Sequence, residues 1–194
     1  SEGSLVIVKD ESLSAEAYRL NIEKNRIKIE AGDIQGVNHG LASLLQLIMT
    51  AKDAQLPVLT IQDKPAFGYR GLMLDCARHF WTVDELKETL DHMAFFKLNT
   101  LHMHLTDNQA WRLSMDKYPD LVKEGTYYYD FPELSGKYYS KEDLKEIVTY
   151  AGTRGIEIIP EVDLPGHSIA LLAALPELSC RGGKFEATPE ERDW

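Results

Sequence analysis

The sequence predicts an α/β protein: an incomplete (β/α)8 barrel, present as its first three strand–helix units, preceded by a small α+β domain. Three observations support this. From Phe67 onward, short apolar runs alternate with helical patterns, and each of the three runs ends on polar residues. The first 64 residues show a hairpin, a helix and a strand instead. Since proline breaks strand pairing, Lys64-Pro65 marks the boundary, which gives domains 1–66 and 67–194.

The composition is that of a folded domain with an acidic surface. Hydrophobic residues make up 44% of the 194 residues, enough to bury a core. The net charge of −10 argues against non-specific binding to nucleic acid or to anionic membranes. No apolar run approaches the roughly 18 residues of a membrane span. Two cysteines make neither a disulfide framework nor a zinc site on their own.

In the first domain, alternating apolar residues predict strands and a 3.6-residue period predicts a helix. The predicted elements are strand 5–8, the hairpin strands 17–22 and 27–30, a helix over 36–51 and strand 58–63. The apolar stripe of the helix is predicted to consist of Leu41, Leu44, Leu45 and Ile48.

The second domain opens with a strand–helix–strand unit. An apolar run over 72–74 stops on Asp75, and Thr82 with Glu85 three residues later forms a capping box for the following helix. A second apolar run, 100–105, ends on Thr106-Asp107-Asn108. In such units the ligand site lies beyond the carboxyl ends of the strands.

The third unit follows a long segment, 110–139, which is rich in aromatic and turn residues, and a loop of that length is usually functional. Ser140 and Asp143 then cap a helix that ends at Gly155. Its apolar stripe is predicted as Leu144, Ile147, Val148 and Ala151. A third strand over 156–162 and a short helix over 168–175 complete the pattern.

Three polar clusters occupy corresponding strand ends, so folding should bring them together. They are Arg78 and His79; His102, His104 and Asp107; and Glu161, Asp163 and His167. Neighbouring parallel strands lie about 4.8 Å apart, so Asp107 can reach His167. An Asp–His pair fixes the imidazole tautomer. The guanidinium of Arg78 suits sugar hydroxyls, carboxylates or phosphates.

Aromatic residues near these clusters could stack on sugar rings. They are Trp81, Trp111 and Tyr127-Tyr128-Tyr129. Other interpretations stay open at this point: polar residues after strands also serve as helix caps or surface ion pairs, and His102 and His104 could be hydrogen-bonded interior groups. Their spacing also permits a metal site, with Asp107 and His167 as further ligands.

Three segments together resemble the family 20 glycoside hydrolases, the β-N-acetylhexosaminidases. They are YRGLMLDCARHFW, KLNTLHMHLTDNQAWR and IIPEVDLPGH. The resemblance is close over residues 69 to about 175 and looser over 17–63. It implies a parent enzyme that removes terminal β-linked N-acetylglucosamine or N-acetylgalactosamine from glycans with retention. The sequence itself leaves the compartment open, and we expect the parent to be exported, whether periplasmic, secreted or lysosomal. The nucleophile would be the acetamido oxygen of the substrate. No cofactor and no metal are implied.

The resemblance also implies roles for five residues. Arg78 would bind the C3 and C4 hydroxyls of the terminal sugar. Asp107 would hydrogen-bond His167, which would contact the catalytic Glu of the family. Asp163 would orient the family's catalytic Asp, and His104 would line the pocket. Asn108 stands where many relatives carry a second Asp, which leaves the Asp107–His167 pair untouched.

The family's adjacent Asp-Glu pair, expected after strand four, does not occur at a strand end. The sequence contains only Asp10-Glu11 and Asp84-Glu85, the latter in the first turn of a predicted helix. We therefore expect a fragment that is inactive alone, with an open barrel edge that favours self-association. Two rival functions are a non-catalytic carbohydrate-binding relative and a metal-dependent hydrolase using His102, His104 and His167.

Overall fold

The computed structural model describes residues 3–189, so the last five residues of the predicted second domain lie outside the described part. The chain divides into two compact units. The first contains the chain up to Gly71 together with Lys87–Thr100 and Ala151–Glu157. The second contains Leu72–Leu86, Leu101–Tyr150 and the chain from Ile158. Among the described residues, no helix is both long and apolar enough to cross a membrane.

A four-stranded sheet with the order β1-β3-β2-β4 forms the first unit's N-terminal part. Its strands are β1 (Ser4–Lys9), β2 (Tyr18–Glu23), β3 (Arg26–Ala31) and β4 (Leu59–Asp63). The predicted hairpin is confirmed, because β2 pairs antiparallel with β3, with Leu20 opposite Ile29. Strand β1 runs parallel to β3, and β4 pairs antiparallel with β2. Leu20 and Ile29 are fully buried in the core against which the helix packs.

Helix α1 (Ile34–Thr50) packs on this sheet through small residues. Asp33 caps it by accepting a hydrogen bond of 2.8 Å from the backbone N–H of Gly36. The predicted apolar stripe was wrong for Leu41, Leu45 and Ile48, which are exposed. Gly40 faces the sheet so closely that a Cβ there would lie 2.8 Å from Cγ2 of Ile29. Close approach of backbone to sheet therefore decides which face of this helix is buried.

Arg70 connects several parts of the first unit through its guanidinium. Nη2 lies 2.7 Å from Oε1 of Glu16, and Nη1 lies 3.2 Å from Oε2 of the same side chain. The guanidinium also donates to the backbone oxygens of Phe67 and Lys97, both at 2.8 Å. The hydrogen bond from Arg70 lowers the pKa of Glu16. This bidentate pair holds Glu16 against the segment that leads into the second sheet.

A second sheet has the order β5-β6-β7. Its strands are β5 (Gly71–Asp75), β6 (Thr100–His104) and β7 (Glu157–Glu161). At one end Asn99 donates its N–H to the carbonyl of Arg70, and at the other Cys76 donates to His104. Strands β5 and β6 therefore run in the same direction, and equivalent bonds join β6 to β7. The alternation in the sequence correctly predicts this parallel α/β arrangement.

Both predicted capping boxes are confirmed. Helix α2 (Val83–Phe95) begins after Thr82, whose N–H and hydroxyl donate to Oε2 of Glu85 at 2.7 and 2.8 Å. Helix α4 (Lys141–Thr153) begins after Ser140, which donates in the same way to Oδ2 of Asp143 at 2.8 and 2.7 Å. In return, the backbone N–H groups of Glu85 and Asp143 donate to these hydroxyl oxygens at 3.3 and 3.1 Å. The reciprocal bonds satisfy backbone groups that the first turn of a helix leaves unpaired.

The stripe predicted for α4 is correct in part. Ile147 and Ala151 are fully buried, whereas Val148 is 54% exposed within the described residues. Gly155, which follows the helix, has φ +70° and so takes the left-handed conformation that ends many helices. This turn leads directly into β7.

The long segment between β6 and α4 forms a small core of its own. It contains the short helix α3 (Asp120–Lys123) and packs against helix α5 (Ile169–Ala174). The buried members of this cluster are Ala110, Trp111, Leu121, Tyr128, Ala170 and Ala187. The expectation that Trp111 and Tyr128 offer flat faces to sugars was therefore wrong, since both side chains are buried. Tyr127 and Tyr129 remain exposed.

Candidate active site

Asp107, directly beyond β6, lies at the centre of the polar network at the strand ends. Its side chain is fully buried, and each of its carboxylate oxygens has two partners. Oδ1 lies 2.9 Å from Nδ1 of His167 and accepts a hydrogen bond of 2.6 Å from the backbone N–H of Asn108. Oδ2 lies 2.7 Å from Nη2 of Arg78 and 2.8 Å from Nε2 of His104. A buried carboxylate requires such compensation, because an unpaired charge there is strongly destabilising.

Arg78 is held between two carboxylates. Its Nη1 donates to Oδ2 of Asp75 over 2.6 Å, while Nη2 faces Asp107. The other oxygen of Asp75 accepts backbone N–H groups from Ala77 and Arg78 at 3.1 and 2.9 Å, which shapes the turn after β5. Burial alone would raise the pKa of Asp75, but the hydrogen bonds from Arg78 outweigh it and lower that pKa. These pairs fix the guanidinium of Arg78, and 38% of its side chain is exposed.

The inward face of β6 and the end of β7 add a second part to the network. His104 is nearly buried, and its Nδ1 lies 3.1 Å from Oε1 of Glu161. The other oxygen of Glu161 lies 2.6 Å from Nε2 of His102. Burial alone would lower the pKa of His104, but the bonds to Asp107 and Glu161 outweigh it and raise that pKa. Burial would raise the pKa of Glu161, but the bonds from His104 and His102 lower it.

His167 lies in the turn between β7 and α5 and is about half exposed. Its backbone has φ +49°, a conformation that non-glycine residues rarely adopt and that is often found at functional sites. The start of α5 is fixed nearby, because the side chain of Asn108 accepts a hydrogen bond of 3.3 Å from the N–H of Ile169. Asn108 thus contributes to the turn through an oxygen that an Asp could also supply.

Asp163 joins the site from the same turn, through a backbone hydrogen bond of 2.9 Å to Oγ1 of Thr106. Side-chain ligand atoms of His104, Glu161 and Asp163 lie within 4.8 Å of one another, a grouping that could in principle hold a metal ion. Both ring nitrogens of His104 already face carboxylates, so coordination would require it to give up one of these partners. Among the described residues, the metal set built on His102, His104 and His167 is not formed. The geometry fits a hydrogen-bonded network.

Behind the turn that carries Arg78, the buried side chain of Arg112 supports the site. It donates to the backbone oxygens of Cys76, Ala77 and Lys137 at 3.2, 2.9 and 2.7 Å. A further bond of 3.3 Å reaches the hydroxyl of Tyr128. Burial lowers the pKa of Arg112. This guanidinium connects the end of β5 to the long segment, so it fixes the backbone immediately before Arg78.

Two pairs of ring side chains pack near the turn that carries Arg78. Phe80 stacks on Tyr139 with 4.8 Å between ring centroids, and the Tyr139 hydroxyl donates to the carbonyl of Trp81 over 2.5 Å. His79 is exposed and packs edge-on against Trp81 with 4.9 Å between centroids. Arg78 and His79 form the first polar cluster predicted from the sequence. Arg78 joins the network around Asp107, whereas His79 packs against Trp81.

Of the residues that the sequence indicated, Arg78, His104, Asp107 and His167 are brought into one network, with Asp163 beside it. The sequence interpretation gave no role to Arg112, and it did not connect Asp75 to Arg78. A signal for Arg112 was present: a lone charged residue between Trp111 and Leu113 in an apolar, bridge-forming stretch. Such a residue needs several partners if it is buried.

Comparison with known families assigns both parts of the chain. Residues 67–194 match the family model described as "Glycosyl hydrolase family 20, catalytic domain". Residues 2–64 match the one described as "Glycosyl hydrolase family 20, domain 2".

Individual relatives agree with this. A beta-hexosaminidase from Vibrio furnissii is 39% identical over 184 residues, which cover 89% of this chain and 30% of that protein. One from Porphyromonas gingivalis is 40% identical over 184 residues, covering 90% of this chain and 24% of that protein. Among solved structures, a mutant Streptomyces plicatus beta-hexosaminidase in complex with its product GlcNAc superposes with a TM-score of 0.88 at 35% identity. That match covers 99% of this chain and 40% of the other.

Proposed function

The chain belongs to glycoside hydrolase family 20, and from this membership we propose that it forms part of a β-N-acetylhexosaminidase. The complete enzyme would remove terminal, non-reducing, β-linked N-acetylglucosamine or N-acetylgalactosamine from glycans. It would act with retention, using the acetamido oxygen of the substrate as nucleophile. The chain spans about a quarter to a third of the curated relatives described above, so this activity is proposed for the parent protein.

We further propose that β5, β6 and β7 are the first three strands of a (β/α)8 barrel. Their parallel order and the helices that follow them support this, as do polar side chains gathered at their carboxyl ends, where barrels of this type carry their sites. The remaining strands and the catalytic Asp-Glu pair would then lie in the rest of the parent protein.

Within this site, Arg78 would bind the C3 and C4 hydroxyls of the terminal sugar. It is suited to this because two carboxylates fix the guanidinium while more than a third of the side chain stays exposed. His167 would contact and orient the general acid of the parent enzyme, with Asp107 holding its Nδ1. Asp163 would orient the acid that contacts the acetamido group.

The observation that carries the proposal is the double role of Asp107. One oxygen holds Arg78, which is assigned to sugar binding, and the other holds His167, which is assigned to orienting the general acid. The single buried carboxylate of Asp107 thereby fixes the positions of Arg78 and His167 relative to each other. Holding reacting groups in a fixed geometry lowers the barrier, because the entropic cost of orienting them is met before the reaction.

The test is the hydrolysis of an aryl N-acetyl-β-glucosaminide by the purified parent protein. Turnover, with the anomeric configuration of the first product retained, is the expected result. The Asp107→Asn variant should lose most of that turnover, while Glu133→Gln, a change at an exposed acid of the long segment, should not. Tight binding of N-acetylglucosamine without turnover would instead identify a carbohydrate-binding relative.

A further inference from the structure

His104 occupies an unusual position for a histidine, because each of its two ring nitrogens faces a different carboxylate. Nε2 lies 2.8 Å from Asp107, and Nδ1 lies 3.1 Å from Glu161. Only 9% of the side chain is exposed, so water has little access to either contact. A neutral imidazole carries a proton on one nitrogen only. A neutral ring here would point its lone pair at a carboxylate oxygen.

The charges around the ring come from three strand ends. Asp75 follows from β5, Asp107 from β6 and Glu161 from β7, and all three are acidic. Arg78 is the cation that pairs with Asp75 and Asp107. His102 contacts the far oxygen of Glu161. Asp163 adds a fourth carboxylate, which lies within 4.8 Å of the ring. Among the described groups these carboxylates outnumber the guanidinium of Arg78, so a positive charge on His104 reduces the excess of negative charge in a nearly buried site.

We propose that His104 is held as an imidazolium and serves as a positioning residue that orients Asp107 for both Arg78 and His167. This assigns His104 to the carboxylate network, in place of the pocket-lining role implied by family resemblance. The inference rests on the proposed function for its catalytic consequence, although the charge state of His104 can be tested without it.

The geometry explains why the positive charge matters for Asp107. Oδ2 is shared by Arg78 and His104, whereas Oδ1 is shared by His167 and a backbone N–H. If His104 loses its proton from Nε2, Oδ2 keeps one partner and the carboxylate can rotate toward Arg78. If the proton is lost from Nδ1, Glu161 loses a partner. Only loss from Nε2 acts directly on Asp107, the carboxylate that positions Arg78 and His167.

The pKa of His104 moves in the direction that this arrangement requires. Although burial by itself lowers it, the two carboxylate partners raise it above the ordinary value of 6.5. The ring is therefore protonated below its raised, folded-state pKa and loses its proton as pH rises through that pKa. The positioning effect is therefore present below the raised pKa of His104 and is lost as pH rises through it.

The charge state can be measured by nuclear magnetic resonance on the full-length parent labelled with 15N in its histidines. The imidazole resonances that vanish in His104→Gln belong to His104. We expect both of its ring nitrogens to be protonated at pH 7. They should stay so as the pH is raised through 6.5, the ordinary value for histidine. A neutral tautomer for His104 at pH 7 would overturn the proposal.

The catalytic consequence can be measured with two neutral replacements. Gln at position 104 places an amide N–H near the position of Nε2, toward Asp107, whereas Asn places one near Nδ1, toward Glu161. We expect His104→Gln to lower kcat/KM by about 10-fold and His104→Asn by about 100-fold, the range set by hydrogen bonds to charged groups. His92→Gln, a change at an exposed histidine of α2, is the matched control and should leave kcat/KM unchanged.

The pH profile separates positioning from mere packing. The ratio of wild-type to His104→Gln kcat/KM should fall as pH rises, since only the wild type loses a charge at position 104. The general acid titrates in both proteins and cancels in this ratio. A ratio that stays constant with pH, or His104→Gln kinetics equal to wild type, would refute the positioning role while leaving hexosaminidase activity intact.

Absence of activity in the wild-type parent would refute the proposed function instead, and the resonance measurement would still decide the charge of His104.

Discussion

The Nδ1 atom of His167 lies 2.9 Å from Oδ1 of Asp107, across a gap between the ends of β6 and β7. Asp107 is fully buried, while His167 is about half exposed. The buried Asp107 is therefore the fixed member of the pair. By holding Nδ1 it sets the orientation of the His167 ring and so the direction of Nε2. An imidazole held in this way can present its other nitrogen to a third group.

From this relationship we expect Asp107→Ala and His167→Ala each to lower kcat in the parent enzyme, by about 10- to 1000-fold, since both act on the orientation of the general acid. The double variant should be no worse than the poorer single variant, because the two residues act as a unit. Steady-state kinetics on an aryl N-acetyl-β-glucosaminide provide the measurement. Losses that simply multiply would show that the two residues act independently.

Arg78→Ala should raise KM and reduce kcat/KM in the parent enzyme by the equivalent of about 2–4 kcal/mol, because charged hydrogen bonds to the sugar are lost. Arg78→Lys should recover little, since an ammonium group cannot bridge Asp75 and Asp107 in the same plane. Arg181→Ala changes an exposed arginine and serves as the control. Wild-type kinetics for Arg78→Ala would remove this residue from the sugar site.

The 194-residue polypeptide alone should not hydrolyse an N-acetylhexosaminide. Its two Asp-Glu pairs lie elsewhere, one following β1 and the other in the first turn of α2. Loss of general acid catalysis by itself removes a factor of about 10²–10⁴. The assay needs the parent enzyme as a positive control and a preparation free of it. Appreciable turnover by the purified chain would contradict the assignment of the catalytic pair to the rest of the parent.

The Glu16–Arg70 pair should make stability depend on pH in a definite direction. The hydrogen bond from Arg70 lowers the pKa of Glu16 from its ordinary 4.5, so its stabilising effect is present above that value and is lost as pH falls through the folded-state pKa. Glu16→Gln should lower the free energy of unfolding by roughly 1–3 kcal/mol at pH 7. At acidic pH, Glu16→Gln should lower the free energy of unfolding by less.

Urea unfolding at pH 7 and at acidic pH, followed by circular dichroism, checks this expectation. Glu23→Gln changes an exposed acid at the end of β2 and provides the comparison. An equal loss of stability at both pH values would show that the charge of Glu16 does not contribute.

Arg112→Lys should destabilise the protein by about 2–4 kcal/mol, because a lysine cannot reach three carbonyl oxygens and the Tyr128 hydroxyl together. The kcat/KM of the parent should fall as well, since the backbone before Arg78 loses its support. Thermal unfolding and kinetics can be compared with those of Arg181→Lys. An unchanged unfolding midpoint would show that these hydrogen bonds do not contribute to stability.

Much of the local structure could be predicted from the sequence, because it depends on short-range chemistry. The caps at Thr82 and Ser140, the left-handed turn at Gly155 and the strand–helix alternation are all encoded within a few residues. The contact between Asp107 and His167 was also predictable, since the ends of neighbouring parallel strands lie side by side. The kinetic predictions above test whether Asp107 and His167 act in catalysis.

Other features depend on contacts that a local pattern does not contain. Hydrophobic periodicity favoured Leu41 and Leu45 as the buried face of α1, whereas the close approach of Gly40 to Ile29 selected another face. Aromatic composition could not show that Trp111 is buried while Tyr129 is exposed. Sharing of one Asp107 oxygen by Arg78 and His104 brings together the ends of β5 and β6, so no single segment predicts it.

The guanidinium of Arg112 holds its neighbours by their main-chain oxygens. Every amino acid supplies such an oxygen, so the attachment at Lys137 does not depend on which side chain is present there. Lys137 is exposed, so a substitution there should change the surface while the long segment keeps its place. A designer could likewise vary this position to alter surface charge beside the site, and the anchoring of the segment would survive the change.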